Sequence, residues 1–410
     1  MANIQAYHRL DEIVEAYPQT LEVLTTNGFA AKDREELYRK YGASTLLNHA
    51  LKELNLNKDM LLGLLREKAA EGQEAEEPLP PGQLDFLGTT LCSLRAMFRH
   101  SFDDWMCNRR QASGERLDCY IPDSCGNGNL YKDACQAEGI EDFPALVTSC
   151  GFGEYFRKDF VERFVNKGYF KAVQREKLHP AFPAAQFLDP EGVYTLYGVY
   201  PYVLLVDLIR LGDRPVPKRW SDLLNPVYKN DIISVGNANK VAELLLMTIH
   251  KDHGDEGLRQ LAPNIKDGWH GSRMARTAGT NSGDGAAIYY IPWNFANFCP
   301  RSERTAIVWP EDGAIVNPLF LLVQASRQER VQPVIDFVLG RELGQQSADA
   351  YCPVLHSQVD NGLPDGASFK WLGWDYIKAH DIYQLKEHTQ HVFMKAWKRQ
   401  LPVVSSHHQC

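Results

Sequence analysis

VLLVDLIRLGDRPVPKRWSDLLNPVYKNDI, residues 203–232, decides the architecture. It opens on the apolar run Val203–Val206, within VYTLYGVYPYVLLVDL (193–208), which reads as strands or an extended pair. Prolines at 215, 217 and 226 break the step that follows. The chain then re-enters a strand pattern at DIISVGNANK (231–240). Toward the C-terminus the same alternation continues: a helix through His250, then GAAIYYIP (285–292), TAIVWPEDG (305–313) and IVNPLFLLVQ (315–324) as strands, then helices over 331–351 and 376–400. Toward the N-terminus, LDFLG (84–88), LDCYI (117–121) and FPALVTS (143–149) read as strands, with a helix after the first and another from about Leu130. Strands alternating with helices predict an α/β layered fold. No internal repeat is visible.

Before Leu84 the pattern changes. Residues 1–68 predict a small all-α domain: Leu10, Ile13, Val14 and Tyr17 share a helix face, Leu46, Leu47, Ala50, Leu51 and Leu54 form another stripe, and Asn57 reads as the N-cap of a last helix. Residues 69–83, AAEGQEAEEPLPPGQ, are a linker with too little apolar area to fold. Residues 401–410 are a tail.

The chain has 410 residues, 44% hydrophobic and 23% charged, with a formal charge of −8. That is globular composition, and its mild acidity argues against a nucleic-acid partner. No apolar run reaches the length of a membrane span. The opening MANIQAYHRLDEIVEAYPQ lacks the basic start and apolar core of a signal peptide, and nine cysteines form no compact framework. Together these predict a cytoplasmic protein with reduced thiols, or a periplasmic one if a leader has been removed.

GxxxxGK[ST], HExxH, CxxC and GxSxG are absent, and no general base pairs with a thiol, so an enzyme is not expected. GNGNL (126–130) reads as a turn. Ligands of open parallel sheets bind beyond the strands' C-terminal ends. There lie GTTLC (88–92), DSCGNG (123–128) and TSCGFG (148–153). Thr89, Thr90, Ser124 and Ser149 are the expected donors to an anion or carboxylate, although capping alone also places Ser and Thr at such points. Cys92, Cys125 and Cys150 fall in the same loops. They are either small buried hydrophobes or, if they converge as thiolates, ligands for a soft metal or Fe–S cluster. His388 and His391 share a helix face that reads as solvated, His270 in WHGSR could line a site, and tail histidines 407 and 408 offer adventitious metal binding. Tyr289–Tyr290 invite a ferric tyrosinate reading, but neighbours in a strand face opposite ways.

From about 84 to 400 the chain resembles the type II periplasmic binding proteins, in the branch of ABC-transporter solute receptors for ferric ion and phosphorylated metabolites. The strongest match is P-x-x-W-x-D-L-L-x-P-x-Y-K within 203–232, followed by WPEDGAIVNPLFLLV (309–323) and IDFVLGRELGQQSADAYCPV (335–354). The resemblance implies two α/β lobes on a hinge, 84–195 with 305–400 and 196–304, closing on a small polar or anionic ligand. It places Thr89, Thr90, Ser124, Cys125, Ser149 and Cys150 on one wall. Asn237, Asn239, Ser272, Asn281, Trp293 and Asn294 fall on the other. Where ferric binders carry a Tyr-Tyr pair, this chain has Asn294 and Phe295, so a polar organic anion or phosphate ester is the expected ligand. EIVEAYPQTLEVLTTNGF (12–29) and TLLNHALKELNLNKDMLLGLL (45–65) resemble a small helical domain found near hybrid-cluster and iron–sulfur repair proteins. That family's cysteine pair is missing here, which leaves an interaction module for a protein partner. Without a leader, the chain is expected to act as a cytoplasmic receptor, sensor or carrier, with a permease an open question and no resident cofactor. The alternative is a thiol protein holding a soft metal or Fe–S cluster.

Overall fold

The computed structural model describes residues 4–54, 56, 58–70, 79–114, 116–122, 136–173, 177–237 and 240–398. The expected N-cap Asn57, the helix from about Leu130 and the tail lie outside them.

The chain begins with five helices: α1 (Leu10–Ala16), α2 (Thr20–Thr26), α3 (Arg34–Tyr41), α4 (Leu47–Glu53) and α5 (Lys58–Ala70). Local chemistry sets their ends. Asn27 closes α2 by donating its side-chain amide to the Val23 carbonyl at 2.8 Å. Asp33 caps α3 by accepting from the Glu36 N–H at 2.8 Å. Leu10, Ile13, Leu24, Phe29, Leu47, Leu51, Leu61 and Leu65 are buried together in a core made wholly of this segment.

The rest alternates strands and helices: β1 (Phe86–Gly88), α6 (Cys92–Ser113), β2 (Cys119–Tyr120), β3 (Leu146–Cys150), β4 (Thr195–Asp207), β5 (Ile232–Asn237), β6 (Lys240–Val241), α7 (Glu243–Leu261), β7 (Ile265–Trp269), α8 (Gly271–Thr277), β8 (Ile288–Pro292), α9 (Trp293–Asn297), β9 (Thr305–Val308), β10 (Ala314–Val323), α10 (Gln328–Val338), α11 (Arg341–Asp349), β11 (Phe369–Lys370), α12 (Trp374–Ala379) and α13 (Ile382–Lys398). The segment 193–208 is one long strand rather than a pair. The expected helix over 376–400 is two, because Asp381 starts a new one by accepting from the Tyr383 and Gln384 N–H groups. Among the described residues no helix is long and apolar enough to cross a membrane.

The chain divides into two compact units, Met1–Val199 with Pro318–Gly362 and Tyr200–Asn317 with Leu363–Cys410. Helices α12 and α13, grouped by the sequence reading with the first lobe, thus sit in the second unit. In the first unit β2, β1 and β3 are parallel, and β3 pairs antiparallel with the end of β10. Phe143 anchors an aromatic core, with Phe160, Phe164 and Phe170 rings at 5.8, 6.1 and 5.2 Å. In the second unit β7, β5 and β8 are parallel, and β4 runs antiparallel to β8 and β9. Helix α13 is pinned to this sheet, Trp397 donating its indole N–H to the Ile265 carbonyl at 2.8 Å.

The proline-rich step between β4 and β5 is held by the side chains of its own motif. Buried Trp220 donates its indole N–H to the Gly313 carbonyl at 2.7 Å. Asp222 accepts from the Lys218 and Arg219 N–H groups, and Asn225 from that of Val227. Tyr228 donates its hydroxyl to the Pro215 carbonyl at 2.6 Å. Because Gly313 belongs to the turn before β10, the first two matched motifs, 203–232 and 309–323, dock on each other.

Candidate functional site

In the first unit the ends of parallel β1 and β3 lie side by side, with Gly88 paired to Thr148. A Cβ on Gly88 would meet the Phe86 ring at 2.8 Å and Ile121 at 2.9 Å, so the turn requires glycine. Thr89 donates its hydroxyl to the Thr148 carbonyl at 2.6 Å, and Thr148 returns a bond to the Thr89 carbonyl at 3.1 Å. This lacing spends the Thr89 hydroxyl on structure, so the expected donor at 89 is lost. Leu91 is the N-cap of the 22-residue α6 and supplies no capping side chain. The N-cap position thus adds no side-chain acceptor, and the positive end of a long helix dipole sits at the strand end. Thr90 and Ser149 are buried here. Thr90 also lines a narrow crevice with Leu94, Phe98, Tyr197, Leu343 and His356. Ser124 and Cys125 lie outside the described residues.

In the second unit the matching ends belong to β7, β5 and β8. Val235 pairs with Trp269 and Ser234 with Tyr290, so Asn237, His270 and Trp293–Asn294 leave the sheet at one edge. Asn294 accepts from the Tyr200 hydroxyl at 2.9 Å. Trp293 packs edge-on to Trp309 at 5.2 Å. His270 caps α8, its ring nitrogen facing the Ser272 hydroxyl at 2.8 Å and accepting from the Ser272 N–H. The sequence reading passed over Arg273, exposed in the first turn of α8, whose guanidinium lies 3.7 Å from the centre of the Trp269 ring. Trp269 is fixed in turn, donating its indole N–H to Asp267 at 2.6 Å.

Asn281 does not join this group. Lys266, at the start of β7, donates to the carbonyls of Gly283 and Gly285. The exposed loop carrying Asn281 thus lies at the opposite end of the strands. The chain must return there after α8 for β8 to run parallel to β5. Asn239 lies outside the described residues.

The thiols are not the activated group that a soft-metal site needs. Burial pushes the Cys150 thiol up to about 11, against a smaller opposing influence of Arg95. Burial likewise raises Cys352, helped by nearby Cys150. After β3 come a 3-10 turn at Glu154–Phe156 and then the short helical pieces Lys158–Phe160 and Val161–Val165, so no long helix starts at Cys150 to lower its pKa. Cys92 opens α6, but its side chain and Cys125 lie outside the described residues, so the expected trio is not seen together. The tyrosinate reading fails for the same reason: Tyr289 and Tyr290 are fully buried. Burial pushes Tyr289 up to about 12, and Tyr290 is raised further.

Two α/β units, each with parallel strands that deliver polar side chains to one edge, define the two-lobed type II binding fold. Residues 141–380 match the model of the bacterial extracellular solute-binding proteins, and the chain belongs to that family. Curated relatives include the spermidine/putrescine-binding periplasmic proteins of Salmonella typhimurium and Salmonella typhi, each 23% identical over 244 residues. That match covers 53% of this chain and 63% of the relatives' length. Solved structures with the same fold include a Trichodesmium protein in complex with iron and citrate and apo FutA2 from Synechocystis. Both superpose with a TM-score of 0.55, at 12% and 14% identity. The first covers 76% of this chain and 98% of its own, the second 77% and 98%. The family corrects the cytoplasmic expectation: its members are extracellular and the curated relatives periplasmic. Cys352, one of the free thiols behind that expectation, is buried as a small apolar group and reports no compartment.

Proposed function

We propose that this chain binds a small organic anion, a carboxylate or phosphate ester, for an ABC permease. The observation that carries the reading is Arg273, an exposed cation stacked on Trp269 at the edge where β5, β7 and β8 end. In the second unit Asn237, Trp293 and Asn294 supplement it. The first unit, taken by itself, presents buried Thr90 and Ser149 near the start of α6, whose N-cap Leu91 supplies no side-chain acceptor. None of these groups is acidic. Chelation of ferric ion has less support, since the tyrosine pair is buried and held protonated.

The test is calorimetry of the purified chain with citrate, a hexose phosphate, spermidine and putrescine. The proposal expects an anion to bind and Arg273→Ala to weaken it by about tenfold or more, the worth of one charge-assisted hydrogen bond. Binding of polyamines with no response to anions would refute it and align the ligand with that named for the curated relatives.

A further inference from the structure

On the second unit, among residues that the expected site does not include, three metal-ligating side chains converge. Helix α7 carries His250 on its first segment. Gly254, at φ 60°, interrupts the helix, and the turn presents Asp255 back toward that histidine. Helix α13 packs alongside and contributes His388. The Asp255 Oδ1 atom lies 2.8 Å from His388 Nε2 and 3.4 Å from His250 Nε2. The ligand atoms of all three lie within 4.8 Å of one another. Among the described residues this is the one cluster of three such groups.

We propose that His250, Asp255 and His388 bind a zinc-class divalent transition ion that fastens the C-terminal helix to α7. Bonds of about 2.0–2.1 Å in a tetrahedron put neighbouring ligand atoms about 3.3–3.4 Å apart. The His250–Asp255 separation already has that value, and His388 needs to withdraw by about half an ångström from Asp255 to match it. Its side chain is half-exposed, so it has room to move and leaves a solvent-facing position for water. Two imidazoles and one carboxylate suit zinc, nickel or copper, and not calcium or magnesium, which take oxygen ligands. The surrounding groups orient the first ones. Tyr376 on α12 places its hydroxyl 3.2 Å from His250 Nδ1, leaving Nε2 toward Asp255. Arg259 pairs with Asp255 Oδ2 at 3.4 Å, leaving Oδ1 to the ion.

The sequence reading took His388 as part of a solvated helix face. His250 and Asp255 are more than a hundred residues away and no spacing pattern joins them.

The test must separate this cluster from the tail, where His407, His408 and Cys410 could also chelate. The background is therefore the full chain with His407→Gln, His408→Gln and Cys410→Ser, titrated at neutral pH with cobalt, followed by visible absorption, and with zinc by calorimetry. The expected result is one equivalent bound, with tetrahedral cobalt bands. His388→Gln and the isosteric Asp255→Asn should each weaken binding by about tenfold or more while circular dichroism is unchanged. Loss of binding in the tail background, absence of binding in metal excess, or affinity unaffected by His388→Gln would each overturn the proposal.

Discussion

Trp220→Phe tests whether the signature motif works as a clasp. The indole is 1% exposed and donates to the Gly313 carbonyl at 2.7 Å, joining the proline-rich step to the turn before β10. Phenylalanine keeps one ring against Tyr290, now met edge-on at 5.5 Å, but removes the donor and the second ring. A buried acceptor left without its partner costs about 1–3 kcal/mol. The missing ring leaves a void costing on the order of 1–2 kcal/mol, below the 3–5 of truncation to alanine. The sum is about 3 kcal/mol, falling on the second unit. Urea unfolding, followed by circular dichroism and by fluorescence of the remaining tryptophans, measures it; a two-unit chain can unfold in two steps, and the loss belongs to the step of the second unit. A loss below about 1 kcal/mol would mean that the carbonyl finds another donor and the void collapses. The motif would then be packing filler, and the claim that Trp220 fastens the two segments would fall.

Two further predictions follow from charge and burial. Cys150, its thiol pushed up to about 11, should react with iodoacetamide at neutral pH far more slowly than exposed Cys107; mass-spectrometric mapping showing Cys150 modified as fast would contradict its burial and revive a thiol-centred reading. Burial opposes ionisation of Glu243, but Lys386 at 3.3 Å and Lys240 overcome it and hold the carboxyl below its usual 4.5. A depressed folded pKa means stability that is complete above that value and fades as pH falls through the folded one. The link from α7 to α13 should therefore weaken only in acid, by at most about 1 kcal/mol. Glu243→Gln should flatten that part of the acid limb of a denaturation-midpoint profile, and an unchanged limb would exclude the pair as its source.

Legibility in the sequence followed the range over which each interaction acts. The all-α character of 1–68 could be read because its apolar periodicity acts within a few positions, while α3 at Arg34–Tyr41, opened by Asp33, was not read. The α/β alternation was equally plain, since buried strands such as 315–323 are short apolar runs. The fate of Thr89 was hidden. Ser and Thr at a strand end look alike whether the hydroxyl faces a ligand or the next strand, and only the β1–β3 register shows it spent on Thr148. Asn281 misled for a related reason: it follows a strand and a helix in sequence, but the crossover carries it to the far edge. Arg273 had a signal in WHGSR, where the histidine drew the attention instead; the arginine four residues after the tryptophan is the one that stacks on it.

The same reasoning explains why thiols at strand ends mislead. A strand end offers a low-pKa site only if a helix starts there with its N–H groups open to the side chain, and β1 leading into α6 has that form. Strand β3 leads instead into Gly151 at φ 69° and a 3-10 turn, so Cys150 meets burial without a compensating dipole. Composition cannot tell these two exits apart, because both present a small polar residue, a cysteine and a glycine within a few positions. What differs is the length of the element that follows. After β3 only short helical pieces follow, Lys158–Phe160 and Val161–Val165, whose Phe160 and Phe164 rings pack on Phe143. The exit of β1 thus differs from that of β3 in leading straight into a 22-residue helix whose N-cap, Leu91, offers no side-chain acceptor.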